Sequence, residues 1–131
     1  MQYALLIYTE ESSGEIPADQ MAAQTAEYDA FSQHLRDRGA MLGGEALDTT
    51  ATATTVRVLD GRTITTDGPF AETKETLGGF YMVEAADLDE AIAYAAMIPG
   101  ARYGCVEVRP VWDYGAANEG STAAAAATAG S

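Results

Sequence analysis

Asp67 opens a run in which groups able to move protons or hold anions crowd together: Asp67, Gly68, Pro69, Phe70, Ala71, Glu72, Thr73, Lys74 and Glu75. Carboxylates, a hydroxyl and an ammonium within nine residues are the side chains that acid–base catalysis and charge recognition use. Pro69 lacks the N–H that a strand ladder needs, so the chain leaves a strand after Asp67 instead of turning back into a hairpin. Proline also favours an extended Gly68. The result is a stiff exit that fixes where Asp67 points, with Phe70 expected to plug the core beside it. Asp67 is then a candidate general acid or base at the edge of an apolar crevice. A local reading competes with that one, in which Asp67 caps its own turn by accepting backbone N–H groups. Lys74 either pairs with Glu72, Glu75 or Asp67, or orients an anionic substrate.

Few other residues offer chemistry. His34 is the one histidine, which leaves no multi-histidine metal site, and no Asp/Asn loop has the spacing of a calcium site. It lies on the flank of a helical stripe, where an edge histidine and a proton carrier are both open readings. Cys105, the one cysteine, falls inside a strand with no base nearby and reads as packing. The glycine pairs at 43–44 and 78–79 lack nucleotide-binding spacing. No cofactor is expected.

The elements that must position these residues follow from patterning. Residues 3–8 and 80–85 are apolar on both alternating faces, as in strands covered on both sides. Met21, Thr25, Tyr28, Phe31 and Leu35 recur at helical spacing after Pro17, and Gly39 stops that helix. Residues 41–47 form a short strand whose glycine pair suggests a bulge. Two β-rich runs meet at Asp60-Gly61, a hairpin signal. Asp87 and Glu90 form a capping box for a second helix with Leu88, Ala91, Ile92, Ala95 and Ala96 as its stripe. Pro99-Gly100 ends it, and residues 105–111 form the last strand.

The order is β-α-β, a hairpin, then β-α-β, an α+β arrangement matching the ferredoxin-like split βαβ plan. Residues 1–112 form one domain, and residues 113–131, rich in Ala, Gly, Ser and Thr, read as a disordered low-complexity tail. Two helices cover one sheet face only. A second copy, sheet against sheet, is the economical cover for the other, giving a homodimer with a ligand crevice between the sheets.

Seven basic against 20 acidic residues give a net charge of −13 over 131 residues. Such a surface disfavours nucleic acid and anionic membranes as partners. The start of the chain lacks a basic n-region and no stretch is long and apolar enough for a membrane span, so a cytoplasmic protein is expected.

The run from Asp67 to Glu75, followed by Leu77-Gly78-Gly79-Phe80-Tyr81, resembles the signature of the DGPF-type, YCII-related proteins. "MQYALLIY", "DLDEAIAYAAMIPG" and "VEVRPV" are similar to the same family, over residues 1–112. The resemblance implies a homodimeric α/β barrel. It also implies acid–base chemistry on small, often aromatic or cyclic, molecules through a His–Asp pair. Asp67 matches the motif aspartate. The histidine falls near Glu27 or Tyr28, where this chain has none. The reading is therefore a cofactor-free enzyme of the lyase or isomerase kind, with Asp67, His34 and Tyr81 as catalytic candidates. Tyr28, Gly68, Pro69, Phe70, Glu72, Lys74 and Arg109 are candidates for holding an unknown small molecule. The alternative is a regulatory module partnering an RNA polymerase sigma factor, beside which the resemblance places such proteins.

Overall fold

A computed structural model describes residues 1–11 and 16–113; most of the expected tail, residues 114–131, lies outside them. Six strands and two helices follow in the order β1 (Gln2–Thr9), α1 (Ala18–Asp37), β2 (Met41–Ala46), β3 (Thr54–Leu59), β4 (Arg62–Asp67), β5 (Thr76–Glu84), α2 (Leu88–Met97) and β6 (Cys105–Pro110). Four strands form one sheet in the order β2-β5-β1-β6, and every neighbour pair in it is antiparallel. This is the ferredoxin-like order with the β3–β4 hairpin inserted between the second and third sheet strands.

The core sits between the helices and one sheet face. Tyr3, Leu5 and Ile7 of β1 and Tyr81 and Val83 of β5 are buried there with Phe31, Leu35, Ala91, Tyr94, Ala95 and Ile98. Strand alternation sends Ala4, Leu6, Tyr8, Phe80 and Met82 to the other face, where they are half-buried. The β5 ladder begins at Thr76, four residues earlier than the apolar run suggests. Gly78 and Gly79 have no side chains to pattern, but Gly79 still pairs with Ile7 on one side and Ala46 on the other.

Sequence signals at the helix ends hold in atomic detail. After α1, Gly39 has φ +67°. Its N–H donates to Arg36 O at 3.0 Å and that of Ala40 to Leu35 O at 2.8 Å, the two bonds of a Schellman motif. At α2, Glu90 N–H donates to Asp87 Oδ1 at 2.9 Å, and the Glu90 carboxylate accepts from Ala86 N–H at 3.1 Å. Asp60 and Gly61 both have positive φ, as a two-residue hairpin turn of the I′ type demands.

The helix stripes are only partly as expected. In α1, Phe31 and Leu35 are buried, Tyr28 is half-buried, and Met21 is exposed. In α2, Leu88, Ile92 and Ala96 face outward, and the buried side is Ala91, Tyr94 and Ala95. Tyr94 outcompetes Ile92 for the core because its ring fills the space and its hydroxyl still accepts a bond from Arg38 Nε at 2.8 Å. No helix is long and apolar enough to cross a membrane among the described residues.

Leu35 is fully buried at the seam of α1 and the sheet. Leu35→Ala is expected to cost about 2–5 kcal/mol and Asp87→Ala about 1 kcal/mol, both read from urea unfolding. Equal losses in the two variants would contradict this placement of the core.

Candidate functional site

Three turns of α1 place Tyr28, Ser32 and Arg36 at i, i+4 and i+8, hence on one stripe. That stripe faces the β2–β5 edge of the sheet. The helix-facing sheet positions there are Gly44, which pairs with Tyr81, and Ala46, which pairs with Gly79. Two glycines and an alanine leave the space beneath the helix unfilled. The outcome is a cavity of about 390 Å³ lined by Ile7, Thr9, Tyr28, Ser32, Arg36, Met41, Tyr81 and this glycine-rich floor. The glycines are also required by the sheet, since a Cβ at Gly44 would lie 2.7 Å from Phe80 O.

Tyr81 is fixed in the cavity wall by two contacts. Its ring meets Phe31 edge to face, with centroids 5.0 Å apart and planes at 89°. Its hydroxyl lies 3.1 Å from Ser32 Oγ. Tyr28 closes one end. Desolvation holds its phenol above the ordinary tyrosine value, opposed in part by a backbone hydrogen bond from Gly100. Tyr28 is therefore a protonated hydrogen-bond donor across the physiological range. Gly100 must be glycine for Tyr28 to sit there, because a Cβ would come within 2.7 Å of Ile7 and 3.0 Å of the Tyr28 hydroxyl.

Of the residues singled out from sequence, Tyr81 and Tyr28 line the cavity. The others stand outside it. Asp67 ends β4 and is exposed. Gly68 takes φ +98°, not the extended conformation that Pro69 favours. Its N–H donates to Ala53 O at 2.7 Å and its carbonyl accepts from Thr55 Oγ1 at 2.8 Å. These bonds clamp the base of the hairpin and bend the chain where only glycine bends cheaply. That bend carries Phe70 outward, so it is 80% exposed and plugs no core. Pro69 is half-buried and Glu72 exposed. Lys74 pairs with Glu10 at 3.2 Å instead of with the acids of its own run; at that exposure the pair contributes little. His34 packs edge-on against Tyr94, 6.2 Å between centroids, at the seam of the two helices. Arg109 pairs with Ala4 and so belongs to the sheet face away from the cavity.

Sequence reasoning missed Ser32 and Arg36. The signal was present: both lie one and two helical turns after Tyr28, a spacing that the search for apolar stripes passes over because the residues are polar.

A raised phenol pKa has a definite sign. The neutral form is favoured on folding, so the contribution is intact below the unfolded tyrosine value near 10 and is lost as pH rises through the folded value. Stability is expected to fall on the alkaline side of pH 10, and Tyr28→Phe to flatten that fall. A variant with the same alkaline slope as the wild type would contradict the burial of this hydroxyl.

The YCII-related domain matches residues 1–115. An uncharacterized protein of Rhizobium meliloti (strain 1021) is 37% identical over 114 residues, covering 85% of this chain and 92% of that one. Among solved structures, 5-chloro-2-hydroxyhydroquinone dehydrochlorinase from Burkholderia phenoliruptrix AC1100, in complex with 2,5-dihydroxybenzoquinone, superposes with a TM-score of 0.44 at 16% identity. That match covers 86% of this chain and 94% of the other. With a match along nearly its whole described length, the chain belongs to the YCII-related family.

Proposed function

We propose that this protein is a cofactor-free enzyme that carries out acid–base chemistry, of the lyase or isomerase kind, on a small molecule held beneath α1. One observation carries the reading: the hydroxyl residues Tyr28, Ser32 and Tyr81 and the cation Arg36 line a single cavity of about 390 Å³. A pocket of that size with a mostly apolar wall and a few polar groups suits a small organic ligand. The Tyr81–Ser32 hydroxyl pair supplies a path for a proton to or from the ligand. Tyr28, held protonated, donates to an oxygen on which charge develops. Asp67 lies outside the cavity of its own chain, so its part in the same reaction requires a second copy.

A homodimer fits the rest of the reading. Ala4, Leu6, Tyr8, Phe80 and Met82 make the second sheet face apolar at its centre, and covering it with a second copy removes that surface from water. Leu6→Glu with Met82→Lys is expected to convert a dimer into a monomer in sedimentation. A chain that sediments as a monomer before substitution would contradict the dimer.

Proton transfer can be tested without knowing the substrate. Hydrogen–deuterium exchange at carbon can be followed by NMR across a panel of small enolisable ketones and phenols. At least one should exchange faster with the wild-type protein. Tyr81→Phe should slow that exchange by about 10²-fold or more, and Ala46→Trp, which fills the cavity, should abolish it. Exchange that survives both substitutions would overturn the reading.

A further inference from the structure

Arg36 stands apart from the other cations that meet carboxylates. Arg38, Lys74 and Arg102 each have a carboxylate oxygen of Glu90, Glu10 or Glu27 within 4.0 Å. Among the described residues Arg36, Arg57, Arg62 and Arg109 have none, and of these four Arg36 is the one that lines the cavity. The sequence explains why. Its neighbours at i±4 and i±3 are Ser32, Ala40, Gln33 and Gly39, so no acid occupies a position from which helix ion pairs form. The adjacent Asp37 is engaged elsewhere, accepting from Gln33 Nε2 at 2.8 Å. Glu45 also borders the cavity, but it pairs with Phe80. Alternation from Gly44 therefore directs its carboxylate to the opposite sheet face.

A cation without a partner, on the wall of a cavity, in a chain of net charge −13, is placed to hold a ligand's anion. The net charge repels anions at long range, so selection has to come from a contact inside the site. A guanidinium offers a planar fork that matches a carboxylate with two parallel bonds. Ser32 is one helical turn from Arg36, about 6 Å along the axis, and Tyr81 is tied to Ser32. A six-membered ring that carries a carboxylate and an oxygen on the opposite side spans this separation. The floor of Gly44, Ala46, Gly78 and Gly79 leaves a flat surface on which such a ring can lie.

We infer that the cavity takes a small planar carboxylate, with Arg36 as the residue that selects for the charge and the Ser32–Tyr81 hydroxyl pair receiving the far oxygen. The inference rests on the cavity being the ligand site and adds the class of ligand to it.

The test uses the full chain, with 4-hydroxybenzoate and its neutral isostere 4-hydroxybenzamide as probes in NMR or calorimetric titrations. The wild-type protein is expected to bind the carboxylate at least tenfold more tightly than the amide, with a preference that weakens as salt is raised. Arg36→Met should abolish the preference by weakening the carboxylate alone, and Arg36→Lys should keep part of it. Arg36 is exposed, so folding is not at stake in either variant. Equal affinity for the two probes in the wild type, or a preference that survives Arg36→Met, overturns the assignment of Arg36. In that case binding of both probes that is lost in Ala46→Trp leaves the cavity reading standing. Binding of neither probe overturns the class of ligand, while the carbon-exchange experiment judges the cavity separately.

Discussion

Tyr81 is the pin on which the site depends. Its ring meets Phe31 edge to face and its hydroxyl meets Ser32, so one β5 side chain holds two successive residues of α1. Edge-to-face aromatic pairs contribute about 0.5–1.5 kcal/mol beyond area burial, and a hydrogen bond about 1 kcal/mol. More important than either amount is the geometry they impose. With Phe31 and Leu35 seated in the core, the helix can rotate little, and Tyr28, Ser32 and Arg36 are all turned towards the β2–β5 edge.

What the helix stripe faces is set by missing side chains. Gly44, Ala46 and Gly79 are adjacent positions on the helix-covered side of two paired strands. A close-packed interior normally fills such space. Here the close β2–β5 approach at Gly44 keeps the position bare, and the gap persists as a cavity. The same chain thus uses small residues for sheet packing and obtains a binding space from them. Charge completes the arrangement, because among the described residues Arg36 is the cation without a carboxylate partner that lines the cavity.

Local signals were legible in the sequence wherever few atoms decide the outcome. The Asp60-Gly61 turn, the Gly39 stop and the Asp87–Glu90 box each depend on residues close in the chain, and each is found as expected. The strand and helix order led directly to the ferredoxin-like plan. The site was less legible because it depends on tertiary placement. The run around Asp67 reads as chemistry by residue type. Yet the positive φ of Gly68 turns Phe70 into solvent, and no rule about the residue before proline foretells that. One flank of the α2 stripe was misassigned because Tyr94 and Ile92 both adjoin the buried Ala91 and Ala95, and it is the Tyr94 ring, its hydroxyl bonded by Arg38, that takes the core side. Ser32 and Arg36 were overlooked because polar residues at helical spacing look like a solvated face until the opposing strands prove to be glycine.

The central claim is that ligand binds between α1 and the sheet, on the helix side. The most direct measurement is NMR of the protein with ¹³C-labelled tyrosine rings, titrated with 4-hydroxybenzoate. Tyr28 and Tyr81 line the cavity, Tyr8 lies on the opposite sheet face, and Tyr94 is buried at the helix seam. The account predicts that the Tyr28 and Tyr81 resonances shift together while Tyr8 and Tyr94 stay in place. Shifts at Tyr8 with Tyr28 and Tyr81 unmoved would put the ligand on the open face and contradict it.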